Sequence, residues 1–157
     1  MTIWTAPLAS FCEDLASTKP APAGVAASAV SARLGLSLLI KVLTITAQRP
    51  DLIEPARRES ENLARAAEDD IRAIQARDAS QVLEVPMRAA RAAVAGLDLC
   101  AEASGSVRGW IAADLGASRE LLAGAARAIL LCVDANLQRS PNPEVAAERR
   151  QLGARVG

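Results

Sequence analysis

The chain has 157 residues, carries 18 basic and 18 acidic residues, and is 51% apolar but only 2% aromatic. This length predicts one domain over residues 1–157, with a terminal tail from about 141 to 157. A composition rich in alanine and leucine with few aromatic residues favours helices. The balanced charge, without a basic cluster, argues against a nucleic-acid-binding protein.

The residue types that are missing or scattered exclude several kinds of site. The sequence has no histidine and no tyrosine, which excludes mechanisms that depend on a histidine beside a serine or a cysteine. The three cysteines, Cys12, Cys100 and Cys132, are far apart in the sequence, and no histidine is available to complete a zinc site. We therefore expect buried thiols, no metal site and no bound cofactor.

Apolar spacing predicts five helices followed by a short sixth one. Thr5 as an N-cap and Pro7 in the first turn indicate a first helix that ends near Ser17. The remaining helices are predicted at residues 24–47, 52–78, 80–103, 107–139 and 143–152. We expect the last of these to fray. The predicted fold is all-α, an antiparallel bundle of about five helices with a short C-terminal helix.

The second predicted helix is almost free of charge. Its polar residues recur every three or four positions and therefore form one stripe, with apolar residues around the rest of the helix. This pattern predicts a central helix of the bundle. It does not indicate a membrane span, because Arg33 and Lys41 interrupt the apolar stretch that a span would need. Since no positively charged leader precedes an apolar run, we expect a cytoplasmic protein without a membrane partner.

Several short motifs follow one another along the chain. They comprise Leu15-Ala16-Ser17, the elbow residues Pro20, Pro22 and Gly24, then Asp70 with Ala73, Val85-Pro86, Asp114 with Gly116, and Asn136-Leu137. In this order, over about residues 8–138, they resemble the cyclodeaminase/cyclohydrolase family. That family includes the C-terminal domain of formiminotransferase-cyclodeaminase and the bacterial methenyltetrahydrofolate cyclohydrolases.

The resemblance implies a reaction and a set of site residues. The reaction would be hydrolysis of 5,10-methenyltetrahydrofolate or loss of ammonia from a formimino-folate, with the tetrahydrofolate derivative as substrate. Asp70 would be the acid–base or electrostatic group. The substrate-binding residues would be Pro22, Gly24, Lys41, Arg49, Asp114 and Asn136. The family resemblance and the alanine-rich core both suggest a homodimer.

The chain also departs from the family pattern. Two of the three elbow glycines are replaced, the lysine-rich turn after the second helix is lost, and the segment between Asp70 and Pro86 is shorter. The replacing residues are Ala23 and Val25 in the elbow, Gln48-Arg49-Pro50-Asp51 in the turn, and Cys132 for the first closing asparagine. Two alternatives follow: a non-catalytic helical assembly protein, or an enzyme of this fold acting on a smaller non-folate substrate.

Four of the predicted positions allow a purely structural role as well. Gly24 could serve only to start a helix. Asp70 could lie on a solvated face, paired with Arg72 or Arg77. In the same way, Lys41 and Arg33 could pair with Asp114 or Asp134 across the bundle, and Asn136 could fix helix register or an oligomer interface.

Overall fold

The structure, a computed structural model, describes residues 2–78 and 80–157. In this part of the chain there are six α-helices, two short 3-10 turns and no strand. The helices are α1 (Leu8–Leu15), α2 (Gly24–Thr46), α3 (Ile53–Ala76), α4 (Gln81–Ser104), α5 (Ala112–Arg139) and α6 (Pro143–Val156). The all-α class predicted from the sequence is confirmed.

The four long helices, α2 to α5, form an antiparallel bundle. α2 packs against α3 and α5, and α4 packs against the same two helices from the opposite side. Short connections make consecutive helices neighbours that run in opposite directions. The core between them consists mainly of small and aliphatic side chains, of which the largest fully buried ones include Leu36, Leu39, Leu43, Leu63, Met87, Leu122 and Ile129.

α2 and α5 approach each other closely at Gly35. A Cβ atom on Gly35 would lie 3.0 Å from the backbone oxygen of Ser118, so a larger residue would require the helices to separate. The fully buried hydroxyl of Ser118 donates a hydrogen bond to the Gly35 carbonyl at 2.7 Å. This contact holds α2 and α5 in a defined register.

The two terminal helices differ from their predicted form. α1 begins at Leu8, with Pro7 as its N-cap, whereas Thr5 belongs to the preceding turn and donates its hydroxyl to the carbonyl of Thr2. Phe11 is the buried residue of α1, and Leu8 is 65% exposed. The apolar face of α1 is therefore largely uncovered by the rest of the chain.

The C-terminal helix is longer than predicted and is attached to the bundle. The side chain of Asn142 caps α6 by accepting hydrogen bonds from two backbone N–H groups at 3.1 Å. Arg149 makes two bonds of 2.6 Å to the carboxylate of Asp134 on α5, and Glu148 pairs with Arg91 on α4 at 2.6 Å. Because these contacts bind α6 along its length, the expected fraying is not seen.

Half of the most apolar stretch of α2 is buried within the chain. In the described ranges α2 is the helix that meets the length and apolarity of a membrane span, but core helices meet the same criteria, and this one packs against three others. Its outer side is mixed: Leu34 is 55% and Ile45 is 52% exposed, and the polar Ser37, Lys41 and Thr44 are exposed beside them. α2 is thus a bundle helix with two large apolar side chains uncovered on its outer face.

Candidate functional site

A pocket of about 560 Å³ lies where the N-terminus of α2 meets the C-terminal ends of α3 and α5 and the first turn of α4. It brings together three of the residues predicted for the site, namely Gly24, Asp70 and Asn136. The other lining residues include Val25, Ile74, Arg77, Asp78, Gln81, Val82, Cys132 and Arg139. This pocket is the candidate site.

The N-terminus of α2 supplies backbone donors to the pocket. Ala23 is the N-cap and no side chain caps the helix; the first N–H bonded within the helix is that of Ala27, to the Ala23 carbonyl at 3.0 Å. The N–H groups of residues 24–26 therefore have no partner inside the helix. Such a helix end carries a partial positive charge that favours an anion or a carbonyl oxygen.

Asp70 is the buried acid of the site. It belongs to the inward stripe of α3, with Ala56, Leu63 and Ala67, and is only 7% exposed. Its Oδ2 atom has no hydrogen-bond partner among the described residues. Burial raises the pKa of Asp70 from 3.8 to about 6, and the backbone N–H of Ala26 offsets part of that effect.

A solvated, ion-paired role for Asp70 is wrong. The carboxylate that binds Arg72 is the neighbouring Asp69, which also accepts a hydrogen bond from Arg88 at 2.8 Å. These arginines lower the pKa of Asp69, whereas Asp70 points inward without a cation. Two adjacent aspartates thus have opposite environments, and the one in the pocket is the one able to change its protonation near neutral pH.

Gly24 and Cys132 stand against each other at the pocket wall. A Cβ atom on Gly24 would lie 3.0 Å from the Sγ atom of Cys132. Burial, and to a lesser extent the charge of Asp70, raises the pKa of the Cys132 thiol. The thiol therefore stays protonated at neutral pH and is a poor nucleophile. Glycine at position 24 is needed for this close contact as well as for starting the helix.

Asn136 compensates for a backbone defect that Pro86 creates. Pro86 lies inside α4, and because proline has no N–H it cannot bond to the carbonyl four residues earlier, that of Val82. The side chain of Asn136 donates its Nδ2–H to this Val82 carbonyl at 2.8 Å. One residue of α5 thereby fixes the first turn of α4, which forms a wall of the pocket.

The remaining predicted site residues do not line the pocket. Lys41 pairs with Asp114 at 2.7 Å, which is the structural alternative considered for it. The guanidinium of Arg49 binds Asp51 at 2.7 Å at the opposite end of α2. Pro22 lies in the elbow after a cis peptide bond with Ala21, two positions before Gly24.

The lining residues that were not predicted for the site include Arg77, Cys132 and Arg139. Helical spacing would have indicated them, because Arg77 is seven positions after Asp70 on one face of α3. On α5, Cys132 and Arg139 lie four positions before and three positions after Asn136, also on one face. Within residues 2–78 and 80–157, no three potential cysteine or carboxylate ligands are grouped as a metal site would require.

Comparison with known families identifies the family of the chain. A family model described as formiminotransferase-cyclodeaminase matches residues 7–80 and 55–152, and thus nearly the whole chain. The chain belongs to this family. The two matches overlap over residues 55–80, a range that includes Asp70. No curated protein matches the chain significantly.

The buried carboxyl of Asp70 predicts a distinctive pH dependence of stability. Its folded-state pKa of about 6 is above the ordinary 3.8, so the folded state favours the protonated form. The shifted pKa contributes about 3 kcal/mol to the free energy of unfolding. This contribution is complete below the ordinary pKa and is lost as the pH rises through about 6. Asp70→Asn should therefore unfold with a free energy that exceeds the wild-type value increasingly up to neutral pH.

The measurement is chemical denaturation of both proteins over a pH series. Subtracting the two curves removes the contribution of Asp51, Asp69 and Glu148, whose pKa values are lowered and which lose stabilisation in acid instead. Asp69→Asn is the matched control and should destabilise at neutral pH. If the difference in unfolding free energy between Asp70→Asn and the wild type does not change between about pH 4 and pH 7, a raised pKa is contradicted.

A double-mutant cycle tests the link between Asn136 and Pro86. Asn136→Ala leaves the Val82 carbonyl without a donor and should cost about 1–3 kcal/mol of unfolding free energy. In a Pro86→Ala background the new N–H at position 86 can bond to that carbonyl, so the same change should cost less. Denaturant titration of the four proteins gives the coupling energy, and a value indistinguishable from zero would show that the two residues act independently.

Proposed function

We propose that this protein acts on the one-carbon bridge of a tetrahydrofolate derivative, as a cyclohydrolase or a cyclodeaminase. The substrate would be 5,10-methenyltetrahydrofolate or a formimino-folate, without a bound cofactor. The observation that carries the proposal is Asp70, a buried acid that lines the pocket beside the N-terminus of α2 and whose Oδ2 has no hydrogen-bond partner in the described part of the chain. Family membership supports the same substrate class.

The proposed chemistry uses Asp70 as a proton carrier. In the hydrolytic reaction, water adds to the methenyl carbon, a C–O bond forms, and Asp70 takes one proton of the water. A C–N bond then breaks, the departing nitrogen receives that proton from Asp70, and the hydroxyl of the adduct releases its own proton to solvent as the C=O bond of the formyl group forms. In the deaminating reaction, the second folate nitrogen attacks the formimino carbon, a C–N bond forms, and the proton of the attacking nitrogen passes to the formimino nitrogen. Asp70 then gives its proton to that nitrogen as its bond to carbon breaks and ammonia leaves. A pKa of about 6 suits both roles, because the carboxyl is populated in both forms near neutral pH.

The N-terminus of α2 has a complementary role in this proposal. The N–H groups of residues 24 and 25, which have no partner inside the helix, would orient a carbonyl or other oxygen of the substrate at the pocket wall. Gly24 keeps this helix end close to Cys132 on α5, and Asn136 keeps the first turn of α4 in place. We propose Gly24 as a substrate contact and Asn136 as a positioning residue. Lys41, Asp114 and Arg49, whose ion pairs lie outside the pocket, have no part in the proposed site.

We also propose that the protein is a cytoplasmic homodimer formed through the outer face of α2. The support is that two large apolar side chains on that face, Leu34 and Ile45, are more than half exposed. Arg57 and Glu61 of α3 border the same face near Leu34. Since a two-fold interface brings one surface against its own copy, these opposite charges can pair across it.

A non-catalytic assembly role is the second candidate. It is favoured by Ala23 and Val25, which occupy two of the three elbow positions where the family pattern has glycine and which both line the pocket. Each adds a side chain beside the helix N-terminus, where glycine has none. An enzyme for a smaller, non-folate substrate would be consistent with the same observation. Ligand binding separates these possibilities.

Calorimetric titration with 5-formyltetrahydrofolate tests the folate proposal. This compound is stable and carries a one-carbon group at the bridging nitrogen. Micromolar binding is expected for the wild type, with at least about a tenfold loss for Asp70→Asn, since a hydrogen bond to a buried charged group contributes about 1.5–3 kcal/mol. Turnover of the methenyl compound should be lost in the same variant.

Asp69→Asn is the control for this titration. It removes the neighbouring carboxylate, which pairs with Arg72 and Arg88 and does not line the pocket, so ligand binding should be unchanged. Equal weakening by both variants would show a general electrostatic effect. Absence of heat and of thermal stabilisation at millimolar ligand would reject the folate site and favour the assembly role.

The dimer is tested by sedimentation velocity. Leu34→Arg places a charge in the middle of the outer face of α2 and should convert a dimer into a monomer. Trp110→Arg is the control, because Trp110 is equally apolar and more exposed, at 76%, but lies in the turn before α5. A wild-type protein that sediments as a monomer at micromolar concentration would refute the proposal.

A further inference from the structure

Two arginines flank the mouth of the candidate site. Arg77 is the C-cap of α3 and Arg139 is the last residue of α5; both are exposed and both line the pocket that contains Asp70. Neither guanidinium forms an ion pair in the described part of the chain. Their donors are therefore available to a ligand.

The charges of the pocket specify what such a ligand carries. Asp78 also lines it, and one of its oxygens accepts hydrogen bonds from the hydroxyl and N–H of Ser80 at 2.6 and 3.0 Å. Away from Asp70, the two arginines and Asp78 leave one net positive charge at this side of the pocket. A singly charged carboxylate balances this charge, whereas a doubly charged phosphate exceeds it. The planar guanidinium group also matches a carboxylate through paired N–H donors.

The polarity of the pocket orients the ligand. The unpartnered oxygen of Asp70 and the N–H groups of α2 lie at one side, and the two arginines lie at the other, at the C-terminal ends of their helices. A ligand bound between them needs a hydrogen-bonding group that faces Asp70 and a carboxylate that faces the arginines. The pocket volume of about 560 Å³ is within the range of small-molecule sites.

We propose that Arg77 and Arg139 form a carboxylate-binding subsite that anchors the substrate at the pocket mouth. The subsite rests on the proposed function in one respect: the bound group would then be one of the two carboxylates of the folate's glutamate. Arg49, in the turn that the family resemblance associates with lysines, is already paired with Asp51 and Glu102. The substrate tail is thus held at the C-terminal ends of α3 and α5, not at the end of α2.

The subsite is tested with p-aminohippurate, which has an aryl amide and one carboxylate but no pteridine. Binding is followed by titration of backbone amide signals in NMR spectra. Arg77→Gln and Arg139→Gln should each weaken binding about tenfold, as expected for loss of a charged hydrogen bond. Arg127→Gln is the matched control, because Arg127 is an exposed arginine of α5 without an ion-pair partner in the described ranges and outside the pocket.

Two further probes define the ligand class. The uncharged p-aminobenzamide should bind no more weakly to the arginine variants than to the wild type, and inorganic phosphate should not displace p-aminohippurate at equal concentration. Unchanged affinity in Arg77→Gln and Arg139→Gln, equal weakening in Arg127→Gln, or displacement by phosphate would each overturn the proposal. Arginine-dependent binding of p-aminohippurate without binding of 5-formyltetrahydrofolate would retain the subsite and reject the folate function.

Discussion

The close approach of α2 and α5 determines where the other parts of the site lie. The two helices run antiparallel, and they touch at Gly35 beside Ser118 and again at Gly24 beside Cys132. At both contacts a Cβ atom on the glycine would lie 3.0 Å from an atom of α5, so a side chain there would force a shift. Between the two contacts both helices carry fully buried alanines, among them Ala29 and Ala126. The N-terminus of α2 is therefore held against α5, and α3 places Asp70 at the same point.

The helical framework was largely predictable from the sequence, because each long helix carries its own periodic apolar stripe. The burial of Asp70 was also predictable from helical spacing, because this residue lies seven positions after Leu63 and three after Ala67 on the inward stripe of α3. The termini were less predictable. α1 has little contact with the bundle and α6 depends on ion pairs with Asp98, Asp134 and Arg91, and such long-range pairings leave no local periodicity.

The sequence predicted only some of the residues that line the site, and helix length explains why the other predicted residues lie elsewhere. Lys41 is seventeen positions after Gly24, which corresponds to about 25 Å along a straight helix. A rigid α2 cannot bring both residues to one small-molecule pocket, so the pairing of Lys41 with Asp114 at the far end follows from geometry. Asp70 and Asn136 join Gly24 because each lies near the end of its own helix that meets the N-terminus of α2.

The burial of Asp70 is difficult to explain by stability alone. At its position on α3 the neighbouring members of the stripe are apolar or small, and an apolar residue there would avoid the desolvation that raises the pKa of the carboxyl to about 6. No cation offsets that desolvation, since Arg72 and Arg88 bind Asp69. The acid is instead next to free backbone donors, a pocket and a neutral thiol. A buried carboxyl with a raised pKa at a pocket is typical of a proton-transfer site. The burial of Asp70 therefore favours a catalytic role over a purely structural bundle.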